Sequence, residues 1–403
     1  MNEDVFDCVI VGAGIVGSCA ALALISAGLR VAVIEACPLI ANPSPAARVL
    51  ALNTRSVTLL DDLGVWKDLY SEANIIEHLQ VSRRGHFTAV RIGANECHVP
   101  FLGYVVLADR LLAALYRVLF DRLPQSHLQL IYPACLETLV RCDLGWKLDC
   151  VSNDRKQRTL YARLLIAADG TFSKVRELVG ISTKILTCDR TALVSRVRFT
   201  VNAARSCVYQ RFTDRGVLAI LPFSANEAGL IWTGKSACVT PLAECSADIF
   251  LKEIQDYFGY RLGRFEQVTE RLLQPLQTRY ARQQVQKNLV LLGNAAHTLS
   301  PLAAQGLNLG LHDLAQFIQI LTELCDSKSA IASLHDQDSG WLMRYAEARR
   351  RQQRCLLQFT EQLENLLSFN FWPLNLVRAL ALFTLDSVLP CKRRFAHAFM
   401  GFA

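Results

Sequence analysis

Three glycines between a short apolar strand and an Ala-rich helix constrain the fold of this chain more than any other feature. Gly12, Gly14 and Gly17 form G-x-G-x-x-G in "DCVIVGAGIVGSCAALALISAG", and Glu35 follows about 20 residues on, at the end of the next predicted strand. The first glycine permits a tight turn, the second lets the backbone approach a pyrophosphate, and the third allows close helix–strand packing. The pattern predicts a βαβ unit that binds a dinucleotide, with phosphate at the helix N-terminus and a ribose at Glu35, without deciding between FAD and NAD.

Length and element order predict a second structural unit. The chain has 403 residues, of which 52% are hydrophobic, which is more than one small core requires. Residues 108–123 have helical spacing, whereas 125–168 and 189–235 favour strands. After residue 306 the chain is predicted to be mostly helical. We therefore expect an α/β fold in which a Rossmann-like nucleotide-binding domain is interleaved with a β-sheet domain, followed by a C-terminal helical region.

Charge and cysteine usage exclude several classes of partner. The net charge of +7 is modest, and the basic residues are scattered, so we predict no nucleic-acid partner. The 14 cysteines form no CxxC pair and no Cys/His cluster, which predicts no metal site and reduced thiols in a cytoplasm. The acidic start "MNEDVFDC" is unlike a signal peptide, and no uninterrupted apolar stretch is long enough to span a membrane.

Two later stretches suit further contacts with a nucleotide. In "ADGTFSKVRELVG" (168–180), Asp169 and Arg176 follow a predicted strand, as a second ribose or anion contact would require. The alternative is an ordinary helix start capped by Asp169 or Thr171. In "LVLLGNAAHTLSPLAAQGLNLGLHDLAQF" (289–317), strand and helix are joined by small residues with almost no charge. This loop is predicted to face a flat ligand, or alternatively to pack against the sheet.

The three motifs, in this order, resemble those of the group A flavoprotein aromatic monooxygenases, which share the p-hydroxybenzoate hydroxylase fold. Within that group the chain is similar to the ubiquinone-biosynthesis hydroxylases, above all to the 2-polyprenyl-6-methoxyphenol hydroxylases. The stretches "RVLALNTRSVTLLDDLGVW", "VSRRGHF", "FGYRLG" and "KRRFAHAFMG" support the narrower similarity, which spans essentially the whole chain.

The resemblance implies an FAD site formed by all three motifs and two further arginines. Its residues would be Gly12, Gly14, Gly17, Glu35, Arg48, Arg110, Asp169, Arg176, Asn294, Pro301, Gln305, Gly306, Leu307 and Asn308. It also implies a division of the chain. The FAD-binding domain would comprise 1–70, 108–180 and 271–330, the substrate domain 71–107 and 181–270, and the C-terminal helical region 331–403.

Individual roles are also implied by the resemblance. Asp169 would serve both FAD and transiently bound NADPH, with Arg176 supporting its loop, and Asn294 would bind the flavin ribitol. Pro301 to Asn308 would pass along the isoalloxazine ring. A helix that begins near Gly306 would direct backbone N–H groups at the negative charge of the reduced flavin.

Three residues depart from the pattern of the family. Ser300 precedes Pro301 where histidine is common, Ala304 replaces a usual glycine, and Ala46 replaces a usual Asp. Neither Ser300 nor Ala304 removes an indispensable group, because the flavin carries the difficult chemistry. They leave room for weak activity or for another substrate.

The implied reaction is hydroxylation of a polyprenylated phenol in ubiquinone biosynthesis. NADPH or NADH would reduce FAD, and a flavin C4a-hydroperoxide formed with O2 would transfer oxygen to the ring. No catalytic residue is assigned, because His297 and His312 are better explained as structural residues. Two alternatives remain: another flavin oxidoreductase of this fold, such as a reductase or epoxidase, and a non-catalytic FAD-binding subunit of a biosynthetic complex.

The apolar and aromatic C-terminal stretch leaves the partners open. Its basic residues Lys392, Arg393 and Arg394 fit packing within the protein, a subunit contact, or docking on a membrane or a biosynthetic complex. We expect a cytoplasmic protein that can be peripheral to the inner membrane, and the sequence leaves a homo-oligomer open.

Overall fold

The computed structural model describes residues 4–39, 48–85, 89–121, 126–201, 206–299, 306–327 and 340–368. Its strands are β1 (Val5–Val11), β2 (Val31–Ile34), β3 (Val49–Asn53), β4 (Asn74–Ile76), β5 (His78–Arg83), β6 (Ala89–Gly93), β7 (Gly103–Leu107), β8 (Leu128–Ile131), β9 (Ala134–Cys142), β10 (Gly145–Ser152), β11 (Gln157–Ala167), β12 (Thr183–Phe199), β13 (Cys207–Thr213), β14 (Gly216–Pro222), β15 (Glu227–Lys235), β16 (Phe265–Val268), β17 (Leu272–Ala281), β18 (Val285–Gln286), β19 (Leu289–Leu291) and β20 (His297–Thr298). Its α-helices are α1 (Ile15–Ser26), α2 (Thr54–Asp62), α3 (Trp66–Leu69), α4 (Ala108–Asp121), α5 (Lys174–Leu178), α6 (Ser236–Glu244), α7 (Ala247–Phe258), α8 (Gly306–Ser327) and α9 (Gly340–Ser368).

The first sheet contains the predicted βαβ unit. Its strand order is β18-β19-β11-β1-β2-β8, with β10 attached to β11 and β9 to β10. Strand β1 runs parallel to β2 and to β11, and α1 makes the crossover between β1 and β2. The strands of this unit are buried on both faces, as the continuous apolar runs of a parallel sheet require. Gly28, two residues beyond the end of α1, has a φ of +81°, a conformation that favours glycine after a helix.

A second, nine-stranded sheet has the order β20-β17-β12-β15-β14-β13-β5-β6, with β16 attached to β12. Most of its pairs are antiparallel, but β13 and β5 are parallel. A separate three-stranded sheet, β3-β7-β4, comes from residues that lie between the first two strands of the first sheet and the rest of it. The chain thus passes back and forth between sheets, which confirms the predicted interleaved α/β fold. The residue boundaries of the domains stay a prediction.

Helix α8 packs against helices from three other parts of the chain. It packs against α1, α2 and α9, and Gly310 lies so close to the turn after β19 that an added Cβ would be 3.0 Å from the Cα of Gly293. Its first described residue is Gly306, where the sequence predicts a helix to begin. None of the described helices is both long enough and apolar enough to cross a membrane.

Candidate cofactor site

The glycine turn between β1 and α1 has the geometry that its spacing predicts. Gly12 has a φ of +104°, and a Cβ there would lie 2.7 Å from the carbonyl carbon of Ala168. A Cβ on Gly17 would overlap the carbonyl oxygen of Gly12. At Gly14 the situation is different, because an added Cβ would meet no atom within 4 Å. Gly14 is also the N-cap residue of α1. Because glycine has no side chain, no side-chain cap forms at this helix N-terminus.

Glu35 lies at the end of β2, directly beside this turn. Its Oε2 accepts a hydrogen bond from the N–H of Ala13 at 2.6 Å, and its Oε1 accepts one from the N–H of Cys37 at 2.9 Å. The hydroxyl of Tyr116 on α4 donates to the carbonyl oxygen of Ala13 at 3.0 Å. The carboxylate is therefore held in place by main-chain donors, and each oxygen retains a lone pair for a further donor.

Asp169 lies at the end of β11, next to the glycine turn. Its Oδ2 accepts a hydrogen bond from the N–H of Val175 at 3.0 Å. Its Oδ1 is buried and has no hydrogen-bond partner among the described residues. Burial raises the pKa of this carboxyl, against the smaller opposing effect of hydrogen bonds such as that from Ser173. A buried acceptor without a donor is costly, so this atom indicates a place for a donor from a ligand.

Ser173, rather than Asp169 or Thr171, is the N-cap of helix α5. Its Oγ accepts a hydrogen bond from the N–H of Arg176 at 3.0 Å, while Asp169 accepts one from the N–H of Val175 in the same first turn, so both side chains cap the helix start. Arg176 is buried and donates to the carbonyl oxygens of Ala295 and Thr171, both at 2.7 Å. These bonds tie the Asp169 loop to the turn after β19, which suits a supporting role for Arg176 rather than direct contact with an anion.

The other predicted contacts lie around these two turns. Asn294 is exposed in a short 3-10 turn after β19, where Gly293 has a φ of +58°. Arg48 is exposed just before β3, and its carbonyl oxygen accepts from the N–H of Ala108. Arg110 on α4 forms a half-exposed ion pair with Glu72 at 2.8 Å. Pro301 and Gln305 lie outside the described residues, as do the departures Ser300, Ala304 and Ala46.

Asn308 contributes its side chain to a buried network near the start of α8. Its Oδ1 accepts from the N–H of Asn53 at 2.9 Å and from the hydroxyl of Ser56 at 2.8 Å. Its Nδ2 donates to the carbonyl oxygen of Ala51 at 2.9 Å. Sequence reasoning considered only the backbone N–H of Asn308. The side chain in fact fixes the start of α8 to β3 and α2.

A buried charge cluster lies further along α8. Asp313 is fully buried, and its Oδ2 accepts hydrogen bonds from Nε2 of His297 and, at 3.0 Å, from Nε2 of Gln353. Its Oδ1 accepts from Nε of the buried Arg349 at 2.5 Å. Burial by itself opposes ionisation of Asp313, but the facing His297 and Arg349 outweigh it and lower its pKa. The cluster joins α9, α8 and the segment after β19, and sequence reasoning missed it.

His312 packs against α2 in an uncharged state. Its Nε2 donates to the Oδ1 of Asn53 at 3.1 Å. Burial, followed by the positive charges of Arg55 and Arg349, lowers the pKa of His312 from 6.5 to about 3. Both histidines that the sequence offers as structural residues therefore lie in buried hydrogen-bond networks.

This lowered pKa predicts a loss of stability in mild acid. Below pH 6.5 the unfolded chain takes up a proton on His312 that the folded chain does not accept until about pH 3, so acid favours unfolding across that range. Between about pH 7 and about pH 5, the wild type should lose about 2 kcal/mol more unfolding free energy than His312→Gln, whose amide can still donate to Asn53. Urea denaturation of both proteins at the two pH values measures this difference. An identical pH dependence would contradict the assignment.

A cleft lies where β3 approaches the nine-stranded sheet. It is lined by Val49, Val194, Ser195, Arg196, Gly229, Leu230, Ile231, Thr269, Glu270 and Leu272. A Cβ on Gly229 would lie 2.5 Å from the Cβ of Val49, so this glycine allows β3 and β15 to approach. Its lining combines apolar side chains with polar ones, and its volume of about 20 Å³ has room for about one water molecule.

The turn after β1 and the turn after β11 lie side by side at the end of the first sheet. A βαβ unit with such turns, combined with a large second sheet, is typical of a class of nucleotide-binding enzymes. Residues 5–339 match the family model described as "FAD binding domain". The chain belongs to this family and is an FAD-dependent monooxygenase.

Named relatives support the family assignment. The chain is 32% identical to ubiquinone hydroxylase UbiL of Rhodospirillum rubrum, covering 99% of this chain and 90% of the relative. It is 33% identical to 3-demethoxyubiquinol 3-hydroxylase of Escherichia coli, covering 83% and 84%. Among solved structures, p-nitrophenol 4-monooxygenase PnpA from Pseudomonas putida is similar in fold, with a TM-score of 0.80, 17% identity and 99% of each chain covered.

Proposed function

We propose that this chain is an FAD-dependent, NADPH-using hydroxylase that acts on the aromatic ring of a polyprenylated phenol in ubiquinone biosynthesis. The observation that carries the proposal is the pair of adjoining turns at Gly14 and Asp169, which fits a dinucleotide, in a chain whose relatives are named ubiquinone hydroxylases. NADH in place of NADPH, the ring position and the prenyl length are matters for experiment.

The residues of the site fit FAD. The open surface at Gly14 and the uncapped start of α1 suit the pyrophosphate, because free N–H groups and the helix dipole favour an anion there. The carboxylate of Glu35, held beside the turn, suits the adenosine ribose hydroxyls. The unpartnered Oδ1 of Asp169 would accept a hydrogen bond from FAD, and the exposed Asn294 on the adjacent turn would contact the ribitol.

In this proposal, reduced FAD supplies the activation of O2 and the transfer of one oxygen atom to the phenol ring. The protein's own residues orient the reactants and exclude water. The N–H groups of Leu307 and Asn308, at the start of the helix α8 that Asn308 fixes to β3, would stabilise negative charge on the reduced ring.

Gly14→Ala tests the cofactor site separately from the fold. An added Cβ meets no protein atom within 4 Å, so the variant should fold normally. It should nevertheless bind FAD at least about tenfold more weakly, because the backbone must approach the pyrophosphate closely there. Fluorescence titration of the apoprotein with FAD measures the affinity. Gly93→Ala, with space for a methyl group on the distant strand β6, is the matched control. Wild-type affinity in Gly14→Ala would contradict the placement of the pyrophosphate.

Complementation of a ubiquinone-deficient strain tests the substrate. The chain should restore ubiquinone in a strain that lacks one ring hydroxylase, and mass analysis should show the loss of the accumulated unhydroxylated precursor. Purified protein should couple NADPH oxidation to hydroxylated product. NADPH consumption that yields only hydrogen peroxide with every polyprenylated phenol would contradict the substrate and would leave the FAD site intact. That outcome would favour another aromatic substrate for the same fold.

Location and assembly depend on where the substrate resides. A polyprenyl substrate resides in a lipid phase, so a cytoplasmic enzyme that is peripheral to the inner membrane, or part of a ubiquinone-biosynthesis complex, would have access to it. The basic and apolar segment after residue 368, which lies outside the described residues, would provide that contact. Co-sedimentation of the full chain with vesicles, compared with a chain that ends at residue 368, tests this role.

A further inference from the structure

A group of hydrogen-bond donors lies on the nine-stranded sheet, away from the glycine turn of the first sheet. Strands β5 and β13 are parallel neighbours in which Gln80 pairs with Tyr209 and Ser82 pairs with Arg211. Side chains two residues apart share one face of a strand, so these four side chains lie together. Helix α7 covers part of this face, with the ring of Phe258 5.4 Å from the ring of Tyr209.

Several of these donors lack an acceptor. The Nε of Arg211 is buried and has no partner among the described residues. The same holds for Nε2 of Gln80, a residue that is only 7% exposed. Arg261, in the loop after α7, donates through Nη1 to the Oγ of Ser82 at 3.4 Å, which leaves the Ser82 hydroxyl proton for another acceptor. Buried donors without acceptors are costly, so their presence on one sheet face requires an explanation.

Positive charge is uncompensated at the same place. Burial lowers the pKa of Arg211, and the nearby positive charges of Arg261 and Arg84 lower it further. The carboxylate of Asp214 pairs with Arg84 at 3.4 Å. Within the described part of the chain, neither Arg211 nor Arg261 forms an ion pair. The segments 86–88 and 202–205, which adjoin β5, β6 and β13 in the chain and are not described, contain no Asp or Glu.

We propose that Arg211, Arg261, Ser82 and Gln80 form a second binding site, for a phosphate group. Guanidinium groups match the geometry of phosphate oxygens and offer charge-assisted hydrogen bonds, and a phosphate would also accept from the hydroxyl and amide donors. The phosphate belongs either to a small soluble ligand or to a lipid headgroup. The site is independent of FAD, because it involves none of the residues around the glycine turn.

Thermal denaturation of the full chain, purified in a chloride buffer free of phosphate and sulfate, tests the site. Inorganic phosphate or pyrophosphate, added at constant ionic strength and in excess over its dissociation constant, should raise the Tm of the wild type by about 2–4 °C. The rise should be absent in Arg211→Gln and reduced in Arg261→Gln. Arg354→Gln, which removes an exposed arginine on α9, is the control and should respond like the wild type.

The stability of the variants without phosphate shows whether Arg211 binds a ligand or only supports the fold. Arg211→Gln relieves a like-charge contact and removes a buried Nε donor without an acceptor, so without phosphate it should be at least as stable as the wild type. An arginine that only supports the fold would lose stability on this change and would leave any phosphate response in place. If Arg211→Gln does not fold, the exposed Arg261→Gln decides the question.

Vesicles identify the source of the phosphate. Retention on phosphatidylglycerol vesicles but not on phosphatidylcholine vesicles, lost in both arginine variants, would indicate an anionic lipid headgroup. A response to free phosphate or pyrophosphate alone would indicate a soluble ligand. The proposal is overturned if the wild type responds to none of these probes, or if both arginine variants respond as the wild type does.

Discussion

Gly17→Ala should yield a protein that retains no FAD and unfolds at a markedly lower temperature. A Cβ on Gly17 would overlap the carbonyl oxygen of Gly12 and lie 3.3 Å from the Cβ of Ala168. Gly12 directly follows β1, and Ala168 directly follows β11. Helix α1 would therefore have to move away from the ends of both strands. We expect the free energy of unfolding to fall by about 1–3 kcal/mol or more, and the turn at which we propose that FAD binds to be distorted as well.

The matched comparison is Gly14→Ala, three residues earlier in the same turn. Both variants should lose flavin absorbance, but only Gly17→Ala should also lose thermal stability as the apoprotein, because only its Cβ meets protein atoms. Calorimetry of the two apoproteins, together with the flavin-to-protein absorbance ratio, makes this comparison. Normal stability and full flavin content in Gly17→Ala would show that the close packing of α1 on β1 is not required.

Arg349→Met should be the most damaging change outside the glycine turn. It leaves the fully buried Asp313 without its guanidinium partner, and loss of one member of a buried ion pair typically costs about 3–5 kcal/mol. Because His297 shares the same carboxylate, the segment after β19 should loosen as well, and flavin should be released at a lower temperature than in the wild type. Denaturant titration and flavin fluorescence during heating measure the two effects.

Two further variants show whether the loss of stability in Arg349→Met comes from the unpaired charge of Asp313. Arg354→Met removes an exposed arginine from the same helix and should change stability by no more than about 0.5 kcal/mol. The double variant Asp313→Asn with Arg349→Met should recover part of the stability, because no unpaired charge remains buried. If the double variant is as unstable as Arg349→Met, packing of the arginine rather than its charge explains the effect.

The parts of the site that could be predicted are those in which function depends on local sequence. Gly12, Gly14 and Gly17 lie within one turn, and their spacing alone predicts the two positions, Gly12 and Gly17, at which a side chain would collide with the protein. The end of β11 and the start of α8 were likewise predictable, because strand, small residues and helix follow one another in the chain. The N-cap Ser173 was not predicted. Three candidate capping residues lie within five positions, and the sequence does not show which of them occupies the N-cap position.

Other contacts join residues that are far apart in the chain, and no local sequence pattern predicts these contacts. Asn308 bonds to the backbone of β3 across more than 250 residues, although its position suggested a backbone role alone. Arg349 is one of several arginines in "EARRRQQR" on α9, and nothing in that run distinguishes the one whose partner is Asp313. Arg211 and Gln80 become neighbours only because β5 and β13 pair in parallel.

The sequence by itself therefore determined the glycine turn, the alternation of strands and helices, and the interleaved α/β class, because these depend on steric limits and hydrophobic periods within short segments. Only the tertiary structure decided which charged and polar side chains are buried together. Burial and partner choice depend on strand register and helix packing, and these are set by the whole chain. The cluster of Asp313, His297 and Arg349 and the donors around Arg211 belong to this second kind.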